Sequence, residues 1–267
     1  MNRMKIVCWV GESPNHKALV TKISKEFKVE GIVIDRTMRS FARPLPGFLK
    51  KMINKMRFNK ADRAWQVLQS YYASNYMLPR EIESFFTDSI NTLEVLNFTK
   101  KFLPDIILVS GTSLIKDPLL SMQLPVGIIN LHTGLSPYVK GGPNCTNWCI
   151  ANNEWSLIGN TVLWLSAGID SGHIITSEKT DITEAESLYD IHYRVMEHAH
   201  DLYLRAIRYM MESDPPYQSI SQKNIGKGTL YLNKMWTSKQ KKKLSRNLKT
   251  VRNFDPPFDI KTIQIPV

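Results

Sequence analysis

Three polar side chains, Asn130, His132 and Asp170, are the strongest candidates for chemistry in this chain. Asn130 and His132 are two positions apart, so on an extended segment both point to the same side. An amide there can donate to a developing negative charge, and an imidazole can carry charge or pass a proton. A carboxylate approaching that pair completes an acid–base constellation. Asp170 can supply it from the turn Gly168-Ile169-Asp170-Ser171-Gly172, whose glycines let the backbone bend sharply. Spacing alone leaves the ordinary alternative open: a strand-end asparagine that shapes a turn beside a histidine with structural partners.

Such residues need a scaffold, and the hydropathy pattern describes one. Residues 4–10 are a β-branched and aromatic run ending at Gly11; 15–27 read as a helix and 31–34 as a second strand, a βαβ opening. Residues 105–110 and 126–131 are apolar on both faces, as central strands of a parallel sheet are when helices cover both sides. A helix over 91–102 precedes the first, and 114–122 spans the gap between them. Residues 155–165 read as a longer strand, with 172–177 its neighbour across a turn. Thr183-x-x-Glu186 has the form of a capping box opening a helix with Leu188, Ile191, Val195, Ala199 and Leu202 at steps of three and four. The expected fold class is α/β, a doubly wound, Rossmann-like parallel sheet.

Ligands of such sheets sit beyond the carboxyl ends of the strands. Three of those exits are polar. The first, Gly11-Glu12-Ser13-Pro14-Asn15-His16, has neither the dinucleotide fingerprint nor a P-loop. The second, Ser110-Gly111-Thr112-Ser113, is a turn of small residues whose backbone groups are open to a flat heterocycle. The third carries Asn130 and His132.

The chain has 267 residues, enough for one large domain or two smaller ones, and 43% hydrophobic with 22% charged residues is globular composition. Its formal charge of +11 suggests a polyanionic partner until the charges are located. Residues 36–60 hold eight basic residues and no acid, and 223–252 hold ten and no acid. The remainder has 17 cations against all 24 acids, so the body of the protein is mildly acidic. Cys8, Cys145 and Cys149 form no C-x-x-C pair and read as reduced thiols in a cytoplasmic protein. No apolar run approaches the roughly 18 residues of a membrane span, and the start lacks a secretory signal.

The run Asn130-Leu131-His132, followed by Leu135, Pro137, Tyr138 and Gly141, resembles the Asn-x-His motif and following loop of the folate-dependent formyltransferase family. The segment Gly168-Ile169-Asp170-Ser171-Gly172-His173-Ile174-Ile175 is similar to that family's second signature, with the aspartate in register. Pro104-Asp105-Ile106-Ile107-Leu108-Val109 resembles the strand before its folate loop. The resemblance covers residues 4 to about 211. It departs at Thr133-Gly134-Leu135-Ser136, where the family has a proline and a small residue followed by two leucines.

The resemblance implies a catalytic domain over 1–212, while composition marks a basic insertion at about 36–79 and a small basic C-terminal extension over 213–267. The resemblance also implies attack of an amine on the formyl carbon of 10-formyltetrahydrofolate. Asn130 would donate to the resulting oxyanion, and His132 would stabilise it as imidazolium or pass a proton. Asp170 would raise the histidine's pKa and accept the amine's proton. Gly111, Thr112, Ser113, Leu114 and Ile115 would hold the pterin, with Leu165 and Ala167 on the other wall. No metal is implied. His192, His198 and His200 do not stack on one helix face, which suggests half-buried or solvated structural roles; His16 and His173 stand singly near the cleft. Cys145 and Cys149 read as packing residues.

The acceptor is a separate question. Family members acting on glycinamide ribonucleotide have a glycine-rich phosphate loop that Gly11-Glu12-Ser13-Pro14-Asn15 lacks. Those acting on initiator tRNA carry a C-terminal barrel of about a hundred residues, whereas 56 follow Met211 here. Those acting on nucleotide-linked amino sugars have similar length and a short extension, which Gly226-Lys227-Gly228-Thr229-Leu230-Tyr231 resembles. The expectation is therefore an N-formyltransferase for an amino sugar on a nucleoside diphosphate, such as a dTDP- or GDP-linked 4-amino-4,6-dideoxy sugar destined for surface polysaccharide. A few cations would neutralise the diphosphate. The alternatives are a methionyl-tRNA formyltransferase-like enzyme, or a silent RNA-binding module using Phe41, Phe48, Phe58, Trp65, Tyr231 and Trp236 among its cations. Neither a nucleic-acid nor a membrane partner is expected. Leu230, Leu232, Met235 and Trp236, with little local core to join, suggest a homodimer.

Overall fold

Alternation of apolar residues to two faces builds a seven-stranded sheet, in a computed structural model that describes residues 4–37, 60–256 and 258–265. The strands are β1 (Ile6–Gly11), β2 (Val29–Asp35), β3 (Glu83–Thr87), β4 (Ile106–Ser110), β5 (Gly127–His132), β7 (Gly159–Trp164) and β8 (Ile174–Lys179). Their order is β3-β2-β1-β4-β5-β7-β8. The first five are mutually parallel; β7 runs antiparallel to β5, and β8 antiparallel to β7.

Strand β1 shows why the sheet is covered on both sides. Ile6, Cys8 and Val10 join a core with Leu19, Val20 and Ile23 of helix α1 (Pro14–Glu26) and Leu202, Ala206 and Met210 of helix α5 (Leu188–Glu212). Val7 and Trp9 turn the other way, into a core with Val95 and Leu96 of helix α3 (Leu93–Lys100). The period of two along a strand thus sorts one hydrophobic run into two cores. Buried Tyr203 of α5 stitches the centre: its hydroxyl accepts from Val109 N–H at 3.0 Å and lies 2.9 Å from the Ile129 carbonyl it donates to. This fixes β4 against β5 one residue before their polar exits.

Several local expectations need correction. Strand β3 was not anticipated: Glu-Ser-Phe-Phe-Thr is a half-exposed edge strand with Phe86 partly exposed, so it lacks a buried apolar run. The long strand over 155–165 begins instead as a 3₁₀ turn, Trp155–Leu157. Helix α5 opens at Ser187, not Thr183. Ser187 Oγ accepts from Asp190 N–H at 3.2 Å while Asp190 accepts from Ser187 N–H at 2.8 Å, a reciprocal cap of about 1 kcal/mol. Thr183 bonds to Asp181 instead. The Ser-x-x-Asp box prevails because the apolar periodicity starts immediately after it.

Of the basic segment expected near 36–79, residues 38–59 lie outside the described residues, Phe41, Phe48 and Phe58 among them. Helix α2 (Lys60–Asn75) packs Leu68 and Tyr72 against Ala18 and Met196. The chain beyond α5 returns to the body. Ile220 pairs with Ile174, strand β9 (Thr229–Tyr231) adds in parallel to β6 (Val139–Gly141), and helix α6 (Ser238–Asn247) packs on α4 (Cys145–Asn152). Trp236 does find a local core: it meets Trp148 edge-on at 4.8 Å, while Tyr231 stacks on the same indole at 4.3 Å. Leu230 and Met235 stay about two-fifths exposed. Among the described residues no helix is long and apolar enough to cross a membrane.

Candidate active site

The exits of β4, β5 and β7 converge on one cleft of about 660 Å³. Asn130, His132 and Asp170 all line it, from elements 40 positions apart in sequence. His132 is buried at the end of β5. Its Nδ1 lies 3.2 Å from Asp170 Oδ2, and its Nε2 lies 3.0 Å from the Val139 carbonyl oxygen. Both ring nitrogens therefore face acceptors, an arrangement that only the doubly protonated ring satisfies. Burial alone would pull this imidazole down, but the Asp170 carboxylate overrides it. With the Cys145 sulfur and Val139 carbonyl adding to the effect, the pKa is pushed up to about 10. The surroundings of His132 thus favour the imidazolium at neutral pH.

Asp170 is held for this contact. Its Oδ2 also accepts from Gly141 N–H at 2.9 Å, and its backbone sits in the left-handed region with φ of 46°. Its other carboxylate oxygen carries no hydrogen bond among the described residues. Gly134 lies close enough to the His132 ring that a side chain there would collide with Nε2 and with Cys145 Sγ. Cys145 and Cys149 are buried, and burial raises both thiols.

The facing wall is the loop after β4. Gly111, Thr112, Ser113, Leu114 and Ile115 line the cleft, with Leu165 opposite. Ala167 does not: the turn closes through Ser166 and Ser171, whose hydroxyls are 2.6 Å apart, and leaves Ala167 in solvent. Two residues that sequence reasoning passed over shape this wall. Buried Asp35, at the end of β2, accepts from Ser113 N–H at 2.7 Å, and Asn91 donates to the Leu114 carbonyl at 2.9 Å while accepting from Lys116 N–H at 2.7 Å. Only their strand-end and pre-helix positions hinted at this.

His16 joins the site rather than standing alone. Its Nδ1 lies 3.2 Å from Ser110 Oγ and 3.5 Å from Asn15 Nδ2. Gly111, at φ 67°, passes so close to this ring that no side chain would fit. Burial without a carboxylate lowers His16 to about 4, so it is neutral. His173 is exposed and does not line the cleft. The three histidines of α5 have separate partners: His192 meets Asn147 Oδ1 at 2.9 Å, His198 meets Glu178 at 3.0 Å, and His200 is packed beside Tyr72. His192 and His200 are fully buried, not half-solvated, because the apolar stripe of α5 is wide enough to enclose them. Trp65 of α2 and Leu232 and Asn233 after β9 also reach the cleft, contributions from distant segments that no local pattern marked. Among the described residues no Lys or Arg lines it, so the cations expected to meet a diphosphate are not among these lining residues.

An amide, an imidazolium and a carboxylate around one cavity are groups that can steady a tetrahedral oxyanion at a carbonyl carbon. Residues 56–207 match the family model described as formyl transferase, and the chain belongs to that family. It is 31% identical over 121 residues to a methionyl-tRNA formyltransferase of Syntrophus aciditrophicus, a match covering 45% of this chain and 38% of the relative. The chain thus matches well under half the length of that curated relative. Solved structures share the fold. A 4-N formyltransferase from Francisella tularensis superposes with a TM-score of 0.58 at 16% identity, covering 96% of this chain and 91% of that one. An N-formyltransferase from Helicobacter canadensis, in complex with folinic acid and dTDP-3-aminofucose, gives 0.55 at 17%, covering 91% and 80%.

Proposed function

We propose that the protein transfers the formyl group of 10-formyltetrahydrofolate to the primary amine of a nucleotide-linked amino sugar. The observation that carries this reading is the buried His132–Asp170 pair beside Asn130 in a cleft roomy enough for two reactants. The amine nitrogen attacks the formyl carbon, and the carbonyl oxygen becomes an oxyanion. Asn130 donates an amide N–H to that oxygen, while the His132 imidazolium stabilises it through its charge in a site with little water. Asp170 takes the proton from the amine nitrogen, directly or through water, on the carboxylate oxygen that His132 leaves open. The C–N bond to folate N10 then breaks, and the proton lost by the amine ends on N10. The loop 111–115 supplies backbone groups for the pterin.

The sugar acceptor is supported by the likeness in fold to the N-formyltransferase solved with folinic acid and dTDP-3-aminofucose, of which this chain covers 80%. A second reading, an amine carried on RNA, is favoured by the sequence relatives and by α6. There Lys239, Lys242, Lys243 and Arg246 share one face and line a separate hollow of about 460 Å³. The deciding experiment offers 10-formyltetrahydrofolate with dTDP- and GDP-linked 4-amino sugars, glycinamide ribonucleotide and methionyl initiator tRNA, following tetrahydrofolate release. Turnover with a nucleotide sugar alone is expected. Turnover with the tRNA alone selects the second reading, and no turnover with any acceptor rejects formyl transfer.

A further inference from the structure

The left-handed backbone of Asp170 calls for an explanation. A non-glycine residue held at φ 46° persists where its surroundings over-determine it. Its carboxylate makes the contacts that charge His132, so whatever holds this backbone also sets that charge. The holding group comes from 52 positions downstream. Gln222 Nε2 donates to the carbonyl of Asp170 at 2.7 Å and to the carbonyl of Gly172 at 2.8 Å, bracketing Ser171 from both sides. Which end of the amide points there is fixed by chemistry, because only the NH₂ end can satisfy two carbonyl oxygens. The side chain is more than nine-tenths buried.

Gln222 is itself anchored. Ile220, two residues earlier, exchanges both backbone hydrogen bonds with Ile174 at 2.8 Å, which registers the segment against the start of β8. Seven residues later the same stretch becomes β9 and pairs with β6, placing Gly141 opposite Tyr231. Gly141 N–H is the second donor to Asp170 Oδ2. One continuous segment, 220–231, therefore grips the Asp170 turn from its main chain and braces the strand that meets its carboxylate.

We propose that Gln222 is a positioning residue for formyl transfer, acting through Asp170: it locks the left-handed turn so that the carboxylate stays on His132 Nδ1. This rests on the reading of Asp170 and His132 given above. Asp170 and Cys145 are the titratable side chains facing His132 among the described residues. Cys145 approaches from α4 and Asp170 from the turn that Gln222 holds. Loss of the clamp should thus weaken the Asp170 contribution selectively.

The test compares the full-length wild type with Gln222→Met, which keeps the side-chain length and removes the donor, and with Gln222→Glu, which sets an acceptor against two carbonyls. Formyl-transfer kinetics are expected to show kcat down about ten- to a hundredfold, the scale of a misplacement of about 1 Å, with KM for both substrates nearly unchanged. The His132 titration midpoint, followed by NMR of histidine-labelled protein, should fall by about 1 to 2 pH units as the carboxylate drifts away. Combining Gln222→Met with Asp170→Asn should cost no more kcat than Asp170→Asn alone. A variant that folds with a lower melting temperature but keeps the wild-type kcat and His132 midpoint overturns the proposal, leaving Gln222 as packing. The titration needs no turnover, so it decides the matter even if Asp170→Asn keeps full activity and the reading of the reaction fails. Should Gln222→Met not fold, Gln222→Glu is read by the same two measurements, with the same outcomes.

Discussion

Each wall of the cleft carries an imidazole, His132 buried and His16 partly buried, and their surroundings drive one to the charged and the other to the neutral form. His132, at the end of β5, has a carboxylate on one ring nitrogen and a carbonyl on the other, and titrates near 10. His16, at the start of α1, has a serine hydroxyl and an asparagine amide, and burial lowers it to about 4. Desolvation lowers both rings, yet the one a carboxylate attends is a cation and the one without is neutral. For the proposed reaction, the difference places the developing negative charge on the β5 side, the wall that carries Asn130 and the imidazolium. The α1 side offers shape and neutral hydrogen bonds, against which Gly111 passes with no room for a side chain.

The largest effect should come from removing what creates the asymmetry. Asp170→Asn keeps the shape but loses the counter-charge and the proton acceptor, so steady-state kinetics should show kcat down by about a thousandfold, within the range of acid–base losses. Asn130→Ala removes one oxyanion donor and should cost about a hundredfold in kcat, with KM little changed. His16→Gln tests the other wall: because a ring lowered to about 4 is a weak base, kcat should fall less than about tenfold, short of a general acid–base loss. A hundredfold loss there would erase the distinction between the walls.

Stability against pH is the mildest test. His132 is raised from 6.5 in the unfolded chain, so its contribution is complete below pH 6.5 and is lost as pH rises toward about 10. His16 and His192 are lowered to about 4, so theirs is complete above 6.5 and is lost as pH falls toward 4. Melting temperatures should therefore peak near neutrality. Asp170→Asn should flatten the alkaline decline, and His16→Gln should soften the acid one.

What the sequence revealed follows the reach of local patterns. Strands β1 and β4 were legible because all or nearly all of their residues are apolar and buried between covered faces, and β5 because its apolar run leads into a polar end. Asn130 and His132 were legible because a spacing of two is itself a geometric statement. Asp170 came within reach through its glycine-flanked turn and the family resemblance together. Strand β3, with Phe86 partly exposed, carries no such period, and the second of two consecutive cap motifs, at Ser187 rather than Thr183, opens the helix. Asp35 and Gln222 were illegible for a deeper reason. Each acts on backbone groups of a loop 50 or more positions away, and a glutamine that holds two carbonyls looks in sequence like any surface glutamine.

At neutral pH the β5 wall of the cleft is charged while its α1 wall is neutral. Nitrogen-15 NMR titration of the histidine rings reads both at once. His132 should keep two protonated nitrogens through pH 8 and titrate near 10, while His16 stays singly protonated down to about pH 4. Two rings titrating together near 6.5, the ordinary histidine value, would contradict it.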